Sequence, residues 1–206
     1  MTSMHEAAAR AGPRERILDT AYALFAQRGV GNVGVDEIIT RSGVAKATSY
    51  RHFPAKTDLV LAFLAEREQR WTPEFVAAES ARRAEAPEGQ LLAVFDVFGE
   101  WFQRADFEGC SFINVLLEMH GHGPEHALGH ASIQYLANIR ALVRERAGRA
   151  GPAGPARPEE FAHSWHVLMK GSILASAEGD TAAARSAQTM ARCLIDEHRT
   201  PQPRSA

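Results

Sequence analysis

Val44-Ala45-Lys46-Ala47-Thr48-Ser49-Tyr50-Arg51-His52-Phe53, followed by Pro54-Ala55-Lys56, is a short helical stretch with two unlike sides. Tyr50 and Phe53 stand at i and i+3 and form an apolar anchor. Lys46, Thr48, Arg51 and His52 supply small, polar or basic side chains on the other side. A helix anchored from behind and basic in front suits the major groove of DNA, which is wide enough to admit a helix and shows a distinct donor and acceptor pattern for each base pair. Just upstream, Val35–Ser42 forms a second short helix with Ile38 and Ile39 inward, and Gly43 closes it. Two short helices joined by a tight glycine turn make a helix-turn-helix, whose second helix reads bases while the first crosses the backbone.

The rest of the chain is helical by the same criteria. A first helix over Pro13–Arg28 carries Ile17, Leu18, Ala21, Leu24 and Phe25 on one face, with Pro13 at its start and Gly29 at its stop. A fourth begins near Ala55 and turns Leu59, Val60, Phe63 and Leu64 inward; Pro73 is expected to kink or end it after Trp71. Ala78 to Gly89, charged and alanine-rich, is expected to be a connection. Glu88 to Arg104 is apolar almost all round and predicts a buried central helix. Further helices follow over Cys110–Met119 and Glu125–Ala147, then a Gly/Pro/Ala linker over Gly148–Pro158, then two last helices. No strand pattern and no internal repeat is present. The expected fold class is all-α: an N-terminal helix-turn-helix domain and a C-terminal helical ligand-binding and dimerisation domain. The expected division is a disordered arm over 1–12, the helix-turn-helix domain over 13–57, the helical regulatory and dimerisation domain over 58–198, and a flexible tail over 199–206.

Charge supports this division. The 206-residue chain has a formal net charge of −2, which alone argues against nucleic acid. Residues 10 to 56, however, hold eight Lys and Arg against four Asp and Glu, a net of +4 that leaves −6 for the remainder. A basic head on an acidic body orients a protein toward phosphate. No apolar run approaches the roughly 18 residues needed to span a bilayer, and Met1 to Gly12 lacks a signal-peptide core, so a cytoplasmic protein with no membrane partner is expected. Cys110 and Cys193 are too far apart in sequence to imply a disulfide framework.

The run from Ile17 to Leu59 resembles the DNA-binding domain of TetR-family transcriptional regulators. The resemblance rests on Ile17, Ala21, Leu24, Phe25 and Gly29, on Ile38, Ser42, Gly43 and Val44, and on Thr48, Tyr50, His52, Phe53, Lys56 and Leu59, in unbroken order. Two positions depart from it: Gly34 and Ala45 stand at helix N-caps where the family usually has Ser or Thr. The resemblance implies a repressor that binds a palindromic double-stranded operator as a homodimer and releases it when a small-molecule inducer binds the body. The expected DNA contacts are Gly34, Val35, Arg41, Lys46, Thr48, Ser49, Tyr50, His52 and Lys56. Lys46 and Thr48 face bases or adjoining phosphates, Tyr50, His52 and Lys56 hold the backbone, and Arg10 and Arg14 assist. The last two helices are implied to pair with their copies through Phe161, Trp165, Leu168, Ser172, Ala183, Ala187, Met190 and Leu194.

The middle of the chain holds more aromatic surface than an ordinary core needs. The expected pocket lining is Phe98, Trp101, Phe102, Phe112, Asn114, Glu118, Trp165, His166 and Met169, apolar with a few polar groups. Two other sensing chemistries have some support. Cys110 at a helix start is a place for a reactive thiol, opposed by nearby Asp106 and Glu108. His126 and His130, at i and i+4 beside His120 and His122, fit one metal from a helix face but lack the spacing of a structural zinc site. The expectation is therefore no metal and no cofactor. With no phosphate loop, no glycine-framed serine and no metalloprotease helix, an enzyme is not expected. A helical interaction protein that has lost DNA binding is the remaining alternative, given Gly34 and Ala45.

Overall fold

The computed structural model describes residues 12–119, 126–150 and 154–199. Among these every regular element is a helix: α1 (Pro13–Arg28), α2 (Val35–Ser42), α3 (Lys46–His52), α4 (Lys56–Gln69), a π-helical segment (Arg70–Ala77), α5 (Ala78–Arg83), α6 (Pro87–Phe102), α7 (Ser111–Glu118), α8 (Ala127–Arg149), α9 (Pro158–Ala177) and α10 (Ala183–His198). The chain forms two compact units that do not follow chain order. One is Met1–Arg67 with Cys110–Ile133, the other Glu68–Gly109 with Gln134–Ala206. The first boundary therefore falls inside α4.

In the first unit α1 packs on α2 and α3. Pro13 occupies the first turn of α1, and the Glu15 carboxylate accepts the Gly12 N–H at 3.0 Å. Ile17, Ala21, Leu24, Phe25, Val33, Ile38 and Ile39 are buried together with Val44, Phe53, Leu59 and Phe63. Edge-on ring contacts of Phe63 with Tyr22 at 5.3 Å and Phe25 at 5.5 Å hold α4 on α1. Gly43 has φ +64, the left-handed conformation that lets the chain leave α2 and enter α3 within three residues.

The second unit is built around α6, whose Leu91, Ala93, Val94, Phe95, Val97, Phe98 and Trp101 are buried as the apolar run predicts. It packs on the π segment, α5, α9 and α10, and α9 packs on α10. Small residues Ala183, Ala184, Ala187 and Ala191 form the buried side of α10. That stripe lets the α10 backbone approach α6, where a Cβ added at Gly99 would lie 3.5 Å from the Ala184 Cβ.

Two expectations are corrected here. Pro73 neither ends nor breaks the helix. The chain stays helical from Lys56 to Arg83 by widening into the π segment around the proline, whose missing N–H removes one α-type bond. The stretch from Ala78 is likewise no simple connection, since α5 occupies it and Ser80 is fully buried. Arg146 of α8 explains that burial. Its guanidinium donates to Ser80 Oγ at 2.7 Å, to the Ala77 carbonyl at 2.8 Å and to the Gln90 carbonyl at 3.3 Å. Ser80 Oγ in turn donates to the Val76 carbonyl. One buried cation thus ties α8 to the π segment, α5 and α6.

Candidate nucleic-acid interface

α3 has seven residues, too few to be stable alone, so its pose is set by what pins its inner side. Val44, Ser49 and Phe53 do this, all buried. Lys46, Ala47, Tyr50 and Arg51 are exposed, and Thr48 and His52 are half-buried at the margins. The anchor pair read from the sequence therefore divides. Phe53 lies inside, under the Arg14 guanidinium at 5.2 Å from its ring centre. Tyr50 is 41% exposed, with Lys46 Nζ 6.0 Å from its ring centre. The reason is local: Phe53 closes α3 with φ −135 and ψ 89, so helical spacing no longer governs where its side chain points. Ser49 is a further correction. Its hydroxyl is turned inward and donates to the Ala45 carbonyl at 3.3 Å, which removes it from the outward surface.

The remaining expected contacts lie on the surface of this unit. Gly34 and Ala45 take extended N-cap conformations with no side-chain cap, so the first N–H groups of α2 and α3 have no hydroxyl to satisfy them. Val35 is half-buried at the start of α2. Lys56 is half-buried in the first turn of α4, a turn whose backbone is capped by Asp58 Oδ2 accepting the Ala55 N–H at 2.9 Å. The sequence reading did not anticipate how the cations are held. Glu37 Oε1 receives both Arg28 at 2.8 Å and Arg41 at 3.0 Å, and Asp36 Oδ1 receives Lys46 Nζ at 2.9 Å. The acids needed were visible as neighbours in the first turn of α2, but their partners were not. Arg14 sits in the first turn of α1, and Arg10 lies outside the described residues.

A second long-range contact belongs to the same unit. Glu118 Oε2, at the end of α7, accepts the Gly31 N–H in the α1–α2 turn at 2.9 Å. A Cβ at Gly29 or Gly31 would meet this carboxylate at 3.2 and 3.1 Å, so the two glycines leave it room. Glu118 is thus exposed and engaged by backbone, and it lines only a 180 Å³ surface cavity with Val30, Lys56, Thr57 and His126 among others.

The other expected pocket residues are divided between the two units. Phe112 is buried and Asn114 exposed in the first unit. In the second, Phe98, Trp101 and Phe102 stack on one another and Trp101 lies 4.3 Å from Trp71, ring centre to ring centre. Trp165 is wedged between Phe95 and Phe161, with its Nε1 lacking a hydrogen-bond partner. Met169 and His166 are buried beside it on α9. A cleft of about 620 Å³ in this unit is lined by Gly99, Phe102, Gln103, Ser176, Asp180, Thr181 and Arg185 with two neighbours, and shares only Phe102 with the expected set.

Burial, reinforced by Lys170, Arg140 and His163, pushes the His166 imidazole from 6.5 down to about 4. The folded chain therefore holds fewer protons than the unfolded chain between these values. Stability is whole above pH 6.5 and falls by roughly 1.4 kcal/mol per pH unit as the pH drops toward 4. Urea midpoints measured across this range are expected to show His166→Gln losing less than the parent on acidification; equal losses in both would contradict it.

The expected dimer residues differ in exposure. Phe161, Trp165, Ser172, Ala183 and Ala187 are buried within the chain itself, and Leu168 and Leu194 are half-buried. Large anchors and small residues alike are used on α6 and between α9 and α10. Met190, the eighth of that set, is about 60% exposed, as are Val167 and Leu174 on α9, which the sequence reading did not name. Cys110 is buried at the N-cap of α7, which opposes a reactive thiolate, and Cys193 is exposed. His120 and His122 lie outside the described residues, and His126 Nδ1 accepts the Leu128 N–H at 3.3 Å. Among the described residues no three His, Cys, Asp or Glu are grouped to hold a metal, and no helix is long and apolar enough to cross a membrane.

Residues 17–63 match the family model described as bacterial regulatory proteins, tetR family. The HTH-type transcriptional activator FasR of Mycolicibacterium smegmatis is 43% identical over 102 residues, 48% of this chain and 44% of that protein. An uncharacterized HTH-type transcriptional regulator of Mycobacterium tuberculosis is 34% identical over 80 residues, 39% of each chain. The chain thus spans less than half the length of these curated relatives. In three dimensions it resembles a TetR-family transcriptional regulator from Streptomyces coelicolor with a TM-score of 0.80 at 25% identity, over 91% of this chain and 96% of that one. The chain thus carries a tetR-family DNA-binding segment over residues 17–63 and, along most of its length, shares the fold of a TetR-family transcriptional regulator.

Proposed function

We propose that the chain is a cytoplasmic transcriptional regulator, not an enzyme, that binds a palindromic operator as a homodimer and releases it when a small molecule binds the helical body. The observation that carries this reading is α3: a short helix pinned by buried Val44, Ser49 and Phe53, presenting Lys46, Thr48, Tyr50 and Arg51 outward. On this reading residues 13–57 are the DNA-binding domain and 58–198 the regulatory and dimerisation domain. Thr48 reads a base, and Tyr50, His52, Lys56 and the uncapped N–H groups at the start of α2 hold phosphates. Two copies placing α3 in successive major grooves need half-sites about 34–36 Å apart, and the exposed apolar side chains Val167, Leu174 and Met190 are available for the pairing. Repression follows from occupancy of a promoter alone. Activation is the second reading, favoured by the 43% identity to a relative named as an activator.

Selection of bound duplexes from a random pool at near-physiological salt tests this reading, with recovery of a palindrome expected. On the recovered site, Lys56→Ala is expected to weaken binding about equally on all sequences and to lower the salt slope by about 1. Thr48→Ala is expected to relax preference at one base position by about 1–2 kcal/mol. Equal losses by both variants on specific and random DNA would refute these roles. A promoter fused to a reporter gives the sign of regulation.

A further inference from the structure

The cations around α3 are not equivalent. Arg51 and Lys56 have no carboxylate in ion-pair range among the described residues, whereas Lys46 is held by Asp36 at 2.9 Å. Both members of that pair are well exposed, at 64% and 80% of the side chain, so it contributes little to stability. Asp36 does favour the α2 N-terminus by the helix dipole, but any acid in that turn would do the same, and Glu37 is already there. A carboxylate beside a surface meant for a polyanion weakens binding to every phosphate near it. Its placement against Lys46, the first residue of α3, therefore calls for a role in binding rather than in folding.

Resting on the reading of α3 as the DNA reader, we propose that Asp36 is a specificity-determining residue: it pairs with Lys46 and withholds that lysine from the phosphates of non-operator DNA. A neutral pair releases no counterion on random sequence, so Lys46 adds nothing to the sequence-independent affinity that its exposure would otherwise give. At the operator the same ammonium, held at the front of α3, is offered to a base edge. A lysine there is matched by the O6 and N7 acceptors of guanine, which repay the loosening of the pair. The paired acid thus acts against wrong sites more than for the right one. Glu37 acts otherwise. It is less exposed and spans Arg28 of α1 and Arg41 of α2, so it joins two helices as well as balancing charge.

The test is Asp36→Asn, which removes the charge and leaves a carbonyl able to accept from Lys46. Fluorescence anisotropy on a random-sequence 30-bp duplex and on the selected operator is measured across a salt series, with melting temperature as a check on folding. The variant is expected to bind random DNA about threefold to tenfold more tightly and to steepen its salt slope by about 0.9, the value for one added phosphate contact. Operator affinity should rise less, so the specificity ratio falls. Adding Lys46→Ala should cancel the gain. An unchanged slope in Asp36→Asn overturns the proposal, as does a gain that survives in the double variant, which would make it simple repulsion by Asp36. If the parent binds DNA with a steep slope and the variant does not differ, this inference alone falls. If neither protein binds any duplex, the regulator reading falls and takes this inference with it.

Discussion

Phe53→Ala is expected to destabilise the first unit by about 3–4 kcal/mol and to abolish DNA binding, although the residue touches no DNA. Phe53 is buried at the exit of α3 and shares its surroundings with Ile17, Ile38, Ile39 and Leu59, drawn from three other helices. Around these side chains the unfilled space is only about 10 Å³, so truncation opens a cavity that the neighbours cannot close without moving. A seven-residue helix has no reserve of its own, because nucleating an isolated helix costs more than a few backbone hydrogen bonds return. Losing the anchor therefore releases α3 before the rest of the unit unfolds. Arg14, stacked over the ring, loses its platform in the same event. Urea unfolding and anisotropy on the selected operator report the two effects. Tyr50→Ala is the comparison: with its ring at the surface it should change stability little. Retention of full operator affinity by Phe53→Ala would show that α3 is held by something other than this core.

The second large effect is expected at Arg146. Replacing it with methionine should destabilise the chain by about 2–4 kcal/mol, the result of two opposed terms. Burying a guanidinium at 2% exposure is costly, and burial pulls its pKa below the ordinary arginine value. Methionine relieves that cost and fills the volume of the stem. It leaves the Ala77 and Gln90 carbonyls and the Ser80 hydroxyl without the donors that now hold them at 2.7–3.3 Å. Stranded buried polar groups cost about 1–3 kcal/mol each; Ser80 keeps its bonds to the Val76 and Ala77 carbonyls, whereas the Gln90 carbonyl loses its side-chain donor. The second term wins on this count. Denaturant midpoints of Arg146→Met and of the double variant with Ser80→Ala measure it, the double recovering part of the loss. A single variant as stable as the parent would mean that desolvation of the cation dominates.

Much of the first unit was legible in the sequence because its signals are local. Gly29 and Gly43 mark two helix stops, and the apolar residues of α1 and α2 recur at helical spacing. The facing of α3 was less legible. With seven residues and a non-helical exit, spacing does not separate Tyr50 from Phe53, or an inward Ser49 from an outward Thr48. Pro73 misled for a different reason: the rule that proline ends a helix assumes α-type bonding, and the chain changed its bonding instead. In α9 and α10 apolar residues lie on more than one side, so size alone did not say which face the chain itself would use. Phe161 and Trp165 went to its own core and Val167 and Leu174 were left outside. Arg146 was hidden because an arginine in a long amphipathic helix looks like solvent-facing charge until the partner carbonyls, more than 50 residues away, are in place.

The boundary between the two units at Arg67 and Glu68 lies within α4, and helix persists from Lys56 to Arg83. Heredity meets a constraint at that point. Where a flexible loop separates two modules, recombination can splice one module onto another with little regard for length. A seam inside a helix keeps count, since each residue gained or lost turns the following residues of that helix by about 100° about its axis. Descendants of this gene that exchange segments at this point must therefore match helical phase, or move the crossover to a place where the chain is not wound.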